Sequence, residues 1–534
     1  MGTTRVNSGS SGSGEFRAAG FGADESGAAK SAAGRIRDAD VIVVGAGPTG
    51  LMLAGELRIA GADVIVVERL AEPTGHSRGL GFTTRAAEVF DQRGLLSRFG
   101  AVETSTRGHF GGLPMDFGVL PGAYFGVRDV QQSQVETVLG EWAAEQGARF
   151  LRGHELVALG TGADDGDDHV EVVVTGSGGR TTLRASWLVG CDGGHSTVRE
   201  LAGFAFEGSA STREMFLADV KGCDLPPRFT GIRVPGGMAM NAPLGDGVDR
   251  IIACELGRPP ADGAGEPVTF VEVAGAWKRL TGEDITGGEP VWVSSFGDAA
   301  RQATSYRRGR VLLAGDAAHI HLPAGGQGLS VGVQDAVNLG WKLAAVARGR
   351  APLGLVDTYH EERHPVGQRV LMNTSAQGIL YLGGPEVDPL RAVFGELMRV
   401  PEVARQLAGM VSGLEVRYGT DGEGHPLLGR RVPPVELDTP DGVSTTFRFL
   451  HDGRGVLFDL TGAAELRASL AGWAGRVDVV TASPREGSDG SLDGAAALLV
   501  RPDGHVAWAG GLSERDGLTE ALGRWFGDPE NSPA

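Results

Sequence analysis

The sequence predicts an α/β protein: a Rossmann-like domain, interrupted by an inserted antiparallel sheet and followed by a thioredoxin-like C-terminal unit. Three stretches carry that reading. "DVIVVGAGPTGLMLAGELRIAGADVIVVER" reads as strand, tight turn, helix and second strand. "GDAAHIHLPAGGQGLSVGVQDAVNLGWKLAAVAR", Gly315–Arg348, begins where the apolar strand Val311–Ala314 stops and ends in a long helix. Between them, residues 204–296 become short strands separated by Gly, Pro and Asp turns, the pattern of an antiparallel sheet. The implied parts are a leader at 1–37, the Rossmann-like domain at 38–204 and 297–425 with connecting helices, the inserted sheet at 205–296 and the C-terminal unit at 426–534.

Residues 1–37 are rich in Gly, Ser, Ala and Arg without apolar periodicity, so they predict a disordered leader, not a secretory signal. The first unit then runs through strand Val41–Val44, a helix at about Thr49–Ala60 and strand Val64–Val67. Gly45, Gly47 and Gly50 form G-x-G-x-x-G in strand–turn–helix context. The first permits the turn, the second admits a pyrophosphate to the backbone, and the third lets helix pack on strand. Pro48 and Thr49 open the helix; Glu68 closes the second strand, where a carboxylate can accept from an adenosine ribose, with Arg69 beside it.

The loop His76–Gly81 carries Arg78 and leads into an amphipathic helix. An extended stretch, Gly122–Val127, precedes another helix that starts at Gln132, with Gln131 as the adjacent alternative. Val170, Val172 and Val174 alternate, Gly176–Gly179 turn the chain and Leu183–Val189 returns. That strand meets "CDGGHSTVR", which places Asp192 at a strand end before a helix start. In the inserted part, Met215, Met238, Met240, Ala242 and Phe296 offer adaptable apolar surface suited to a flat polycyclic guest, and a helix is expected near Val268–Arg279.

In the later stretch, Asp316 stands at a strand end, and Pro323, Gly325, Gly326 and Gly328 form a loop with little side chain. The helix beginning near Leu329 has an apolar face at Val333, Ala336, Val337, Gly340, Trp341 and Ala344. A carboxylate, a glycine loop and a positive helix end together suit a polar, redox-active ring that becomes anionic when reduced. His319 is a candidate base, though a histidine packed among strand-end residues reads rather as structural, as do His321 and His364. Helix continues beyond Pro389, and a polar stretch, Gly419–Gly429, marks a boundary. Strands at Gly455–Leu460, Val477–Thr481 and Ala495–Val500, a further strand in "RPDGHVAWAG", and helices at "LRASLAGWAG" and "LTEALGRWF" give the thioredoxin-like order; with no cysteine there, dithiol chemistry is excluded.

These motifs, "GDAAH…P.GGQG…QDAVNLGWKLA" above all, resemble the flavoprotein aromatic hydroxylases of the p-hydroxybenzoate hydroxylase fold, over about Asp38 to Phe526. The similarity is greatest to the branch that tailors angucycline-type aromatic polyketides. The resemblance implies FAD, held at its nucleotide by Gly45, Gly47, Pro48, Thr49, Gly50, Glu68 and Arg69. It also implies flavin contacts from Arg78, Gln132, Asp192, Asp316, Pro323, Gly326, Gly328 and Leu329. Pro323, which offers a carbonyl but no N–H, and Arg78 are then the catalytic candidates, and Met215, Met240 and Phe296 line the substrate pocket.

The reaction implied is hydroxylation of an aromatic polyketide by NADPH or NADH and O2 through a flavin C4a-hydroperoxide. Baeyer–Villiger oxygen insertion or oxidative rearrangement is the alternative, and a non-catalytic FAD-bound carrier is a third reading. A single dinucleotide fingerprint implies transient binding of the reductant at the surface. Ser330 stands where an asparagine is usual in the family, and no W-x-W-x-I-P element of flavin halogenases appears.

The bulk numbers bound the rest. A chain of 534 residues calls for two or three cores. Its net charge of −18 argues against nucleic-acid or anionic-membrane partners, and no apolar run is long enough to span a bilayer. Three cysteines, Cys191, Cys223 and Cys254, fit neither a disulfide framework nor a metal site, so a cytoplasmic protein without a metal is expected. The C-terminal unit is left with a structural or oligomeric role, such as making a homodimer.

Overall fold

The computed structural model describes residues 37–530, apart from 102–103, 121–126, 129, 165, 261–266, 420–423 and 489. The leader expected at 1–37 lies outside the described residues except for Arg37, as does most of the extended stretch Gly122–Val127.

Strand Ala39–Val44 is apolar and buried at every position but Asp40, which suits the middle of a parallel sheet covered on both faces. It lies between Gly179–Gly190 and Val64–Glu68, and the sheet continues to Arg149–Arg152 on one side and Val311–Leu313 and Arg307–Arg308 on the other. Gly179–Gly190 has two roles. Its first half pairs antiparallel with Val170–Gly176, and its second half runs parallel to Ala39–Val44. The expected hairpin and the strand leading to Asp192 are therefore one continuous element.

Helix α1 (Pro48–Ile59) starts with proline at its first turn, where a missing N–H costs nothing. Helices α2 (Thr84–Asp91), α3 (Gln132–Glu145) and α4 (Thr197–Leu201) follow. A Cβ on Gly55 would fall 2.0 Å from the Trp142 ring, so only glycine lets α1 and α3 approach this closely.

The inserted sheet has five antiparallel strands in the order Arg228–Val234, Gly237–Gly245, Val248–Glu255, Glu214–Lys221, Glu289–Gly297. Period-two alternation splits its residues between two faces. Phe216, Ala218, Val220, Ala239, Ile251 and Ala253 pack on helix α5 (Phe270–Thr281), which Thr269 and Glu272 close with a capping box. The opposite face turns toward the Rossmann-like domain. Strand Arg228–Val234, with its mixed polar sequence, was not expected. The sheet proper begins at Glu214, not at 205, because Phe206–Ser209 pairs with Ala300–Ala303, which in turn pairs with His319–Ile320.

Helix α6 (Gly328–Ala347) is followed by α7 (Gly354–Leu382), a long helix whose polar sequence and internal Pro365 conceal it from pattern reading. In the C-terminal unit the sheet order is Val477–Thr481, Gly455–Asp459, Ala497–Val500, Val506–Gly510, with the first pair parallel and the others antiparallel. That is the thioredoxin-like arrangement expected, with an additional hairpin at Glu436–Thr439 and Gly442–Thr445.

The unit is joined to α6 and α7 by a buried polar cluster. Arg501 pairs with Glu362 at 2.6 and 2.9 Å, Lys342 reaches Glu362 at 2.7 Å, and Asn338 donates to both Glu362 and Asp503. Burial pushes Glu362 up, but Arg501 and then Lys342 pull it down to about 2. Among the described residues no helix is long and apolar enough to cross a membrane, and no cluster of side chains could hold a metal ion.

Candidate active site

The two glycine turns, distant in sequence, meet through α1 and α6. A Cβ on Gly315 or Gly332 would lie 2.6 or 2.2 Å from the Thr49 hydroxyl, so Thr49 is wedged between the second turn and its helix. Thr49, expected at a cofactor, thus also joins the two segments.

In the first turn Gly45 has φ of +103°, and a Cβ there would meet the Cys191 carbonyl at 2.4 Å. A Cβ on Gly50 would meet the Gly45 carbonyl at 2.0 Å. A Cβ on Gly47 would meet nothing within 4 Å. Two glycines are therefore demanded by the protein itself, while the third faces open space before an α1 N-terminus that no side chain caps. This is a cradle for an anionic group such as pyrophosphate. Glu68 accepts the Ala46 N–H at 2.7 Å and the Leu70 N–H at 2.9 Å, which fixes its carboxylate at the strand end; Arg69 is exposed beside it.

The second turn repeats the arrangement. Asp316 is exposed between buried Gly315 and Ala317, Pro323 is exposed between buried Leu322 and Ala324, and Gly326 is exposed beside buried Gln327. Gly325 and Gly326 take φ of +73° and +65°, and α6 opens without a side-chain cap or an acidic residue in its first turn. Gly328 and Leu329 form that first turn. These residues fit a flavin: a carboxylate for hydroxyls, and a positive helix end for a ring that gains negative charge. The Pro323 carbonyl, assigned from sequence to the ring edge, also accepts the Gly326 N–H at 3.2 Å and so helps shape the turn.

Behind the turn, the Asp335 carboxylate accepts the Gly315 N–H at 3.1 Å and holds His319 Nε2 and Arg363 Nε, each at 2.7 Å. Burial would raise the Asp335 carboxyl; Arg363 and His319 outweigh it and hold the group below the usual carboxylate range. His319 is therefore a structural partner. Ser330 accepts the Thr83 N–H at 2.9 Å, tying α6 to the start of α2. Sequence reasoning missed Asp335, Arg363 and the Ser330 contact; the run "QDAVN", an acid inside an apolar helix, was the available signal.

Asp192 is engaged locally. Its carboxylate accepts from the Ser196 hydroxyl at 2.5 Å and the Val198 N–H at 3.0 Å, and burial raises its carboxyl. Arg199 then donates to the Ala317 carbonyl at 3.1 Å, which links this strand end to the second turn. Gln132 holds the Arg78 loop: it gives its N–H to the Gly79 carbonyl at 3.1 Å and accepts the Gly79 N–H at 3.2 Å. Its amide is spent on Gly79 and Glu136, whereas the Gln131 amide donates to the Leu244 carbonyl of the inserted sheet. Arg78 is exposed.

The pocket candidates do come together. Met215 and Met238 are buried in one cluster with Cys254, Leu322, Ala324, Tyr381 and Leu382, against which Met240, Ile252 and Phe296 pack partly exposed. Leu322 and Ala324 flank Pro323, so the apolar face of the sheet abuts the second turn. Each fully buried side chain of this size contributes about 1.5–3 kcal/mol, enough to hold the seam without a ligand. Tyr381, buried and bonded to the Thr230 carbonyl at 2.6 Å, has its phenol pushed well up by burial, so it is no base. A separate cleft of about 420 Å³ between α6, α7 and residues 410–419 shares Gln327 and Ser330 but none of the exposed positions Asp316, Pro323 or Gly326. The uncapped helix ends and the exposed acid, not that cleft, mark the site.

Comparison with known proteins agrees with this geometry. Residues 38–374 match the FAD binding domain family and residues 425–529 the aromatic-ring hydroxylase C-terminal family. The chain is similar to CabE, an aromatic hydroxylase from angucycline biosynthesis, at 60% identity and a TM-score of 0.87, covering 92% of this chain and all of that one. It is similar to BexE, studied for oxidation during BE-7585A biosynthesis, at 58% identity and a TM-score of 0.86, with the same coverage. It is also 45% identical to the 12-dehydrotetracycline 5-monooxygenase/anhydrotetracycline 6-monooxygenase of Streptomyces rimosus, over 92% of this chain and 99% of that one. The chain belongs to the FAD-binding aromatic-ring hydroxylases and is a flavoprotein monooxygenase.

Proposed function

We propose that the protein uses NADPH or NADH and O2 to hydroxylate an angucycline-type aromatic polyketide. One observation carries the reading: Met215, Met238 and Cys254 of the inserted sheet share a buried cluster with Leu322 and Ala324, either side of Pro323. A flat aromatic guest over this seam would lie between a methionine-rich wall and the exposed second turn.

When bound, FAD supplies the redox chemistry, accepting hydride from the reductant and activating dioxygen. The chain's own residues hold and shield it. Gly45, Gly47 and Gly50 with Pro48 and Thr49 receive the pyrophosphate, Glu68 the ribose, and Asp316 the ribityl hydroxyls. The α6 N-terminus, at Gly328 and Leu329, favours negative charge on the ring. Met215, Met240 and Phe296 supply an apolar cover that keeps water away. Arg78 is exposed on a loop held by Gln132, which supports a role for it in meeting the anionic reductant or the cofactor.

Anaerobic mixing of the yellow protein with NADPH, then NADH, and a tetracyclic phenol tests this reading. Flavin absorbance near ~450 nm should bleach, faster with the phenol present. A protein that stays yellow with both reductants and every polycyclic phenol tried contradicts it. After aeration, product mass and ring connectivity by NMR separate hydroxylation from oxygen insertion.

A further inference from the structure

The face of the inserted sheet that looks toward the cofactor turns is built in rows across the strands. Register places Met238, Cys254, Met215 and Phe296 in one row and Met240, Ile252, Leu217 and Ser294 in the next. The third row, on the same face, is Ala242, Arg250, Asp219 and Trp292. Two rows are largely apolar and the third holds a buried ion pair. Arg250 and Asp219 are 1% and 6% exposed and meet through two hydrogen bonds of 2.7 Å. A buried pair gives little net stability over apolar residues, so its presence invites another role.

That role is visible in what the row touches. The third nitrogen of Arg250 donates to the Arg78 carbonyl at 3.3 Å, and its guanidinium lies 5.4 Å from the Trp292 ring centre. Trp292 in turn stacks on His76, with centres 5.1 Å apart and planes within 5°. Alternate residues of the loop face the other way: Ser77 bonds Ser133 at 2.9 Å and Gly79 bonds Gln132. The loop is thus held on one side by the start of α3 and on the other by the sheet that carries the guest.

We propose that Asp219, Arg250 and Trp292 are positioning residues through which the substrate sheet grips the Arg78 loop, so that an occupied aromatic pocket sets where Arg78 stands. This rests on the proposed function for the identity of guest and cofactor. The grip itself does not depend on that identity. It gives the protein a way to couple guest binding to cofactor reduction, since both sides of the coupling touch the same strands.

The test uses FAD-saturated protein and two variants, Trp292→Leu and the double Asp219→Leu/Arg250→Met, which leaves no unpaired buried charge. Hydrogen exchange of the amides at 76–80 should accelerate at least about tenfold in both, while the α3 amides stay unchanged. The acceleration of flavin reduction by a tetracyclic phenol, taken as the ratio of rates with and without phenol, should fall by about tenfold. Arg250→Lys, which keeps charge but not the two-pronged geometry, should recover part of the effect. Unchanged loop exchange in both variants overturns the grip. Faster loop exchange with intact phenol stimulation overturns the coupling. If the double variant fails to fold, Trp292→Leu alone decides. A wild-type protein that ignores every phenol defeats the functional reading, while the exchange result still judges the grip.

Discussion

The two glycine turns look alike and are built differently. Both are glycine turns that lead into a helix with no side-chain cap. The first draws mainly on one βαβ unit, through Glu68 and its own glycines, with Cys191 at the end of the neighbouring strand packed against Gly45. The second depends on distant residues, namely Asp335, His319 and Arg363 behind it, Thr83 against Ser330, and Met215 and Met238 against Leu322 and Ala324. A nucleotide tail is the same in every dinucleotide enzyme, so a local device suffices to hold it. A reacting ring must be aligned with a guest, and that requires the inserted sheet and α7 to agree on one position. Damage at Gly47 should therefore cost binding alone, whereas damage to the second turn should cost stability as well.

The largest expected effect is at Asp335. Asp335→Asn leaves Arg363 buried without its anion, which should cost about 3–5 kcal/mol of stability and release the Gly315 turn. Denaturant unfolding and flavin content should fall together; a stable variant with full flavin would erase the distinction drawn here.

The junction behind the second turn should also show in acid. His505, packed against Tyr418 with ring centres 4.3 Å apart and planes tilted by 35°, is lowered by burial to about 4. The unfolded chain then binds the proton first. Stability present above pH 6.5 should be lost as pH falls from 6.5 toward 4, by up to about 3 kcal/mol. Glu362 adds a further loss between 4.5 and 2. His505→Gln should flatten the first part of that dependence, measured by unfolding at several pH values.

Gly47→Ala sharpens the comparison from the other side. Its Cβ meets no protein atom within 4 Å, so the melting temperature of the apoprotein should not change. FAD affinity should nevertheless drop about tenfold or more, about 1.4 kcal/mol, because the methyl occupies the ligand's space. Calorimetric titration with FAD beside a melting curve checks both halves. Ser330→Ala should give the smallest effect. Loss of its bond to the Thr83 N–H should cost about 1 kcal/mol of stability and alter flavin affinity little.

How much of this was legible in the sequence follows the same division. The first turn could be read residue by residue, because Gly45, Gly47, Gly50 and Glu68 lie within reach of one another along the chain. The strands of the C-terminal sheet and four of the five strands of the inserted sheet, with its α5, were also readable, because alternation and turn residues are local signals. Helix α7 was not, since its buried residues include Glu362, Arg363, Asn373 and Gln377, whose partners come from elsewhere. Nor was the row Arg250–Asp219–Trp292, because register across three strands decides which residues share a line. The methionines were readable as pocket candidates by type, but their neighbours Leu322, Ala324 and Tyr381 became apparent only when the sheet met the turn.

The most direct test supplies the yellow protein with reductant, an angucycline-type tetracyclic phenol and isotopically labelled dioxygen. The account predicts a product that carries one labelled oxygen on an aromatic carbon, with the reductant consumed in step. Rapid reductant consumption that yields only labelled peroxide with every phenol tried, or a fully flavinylated protein that consumes none, would contradict it.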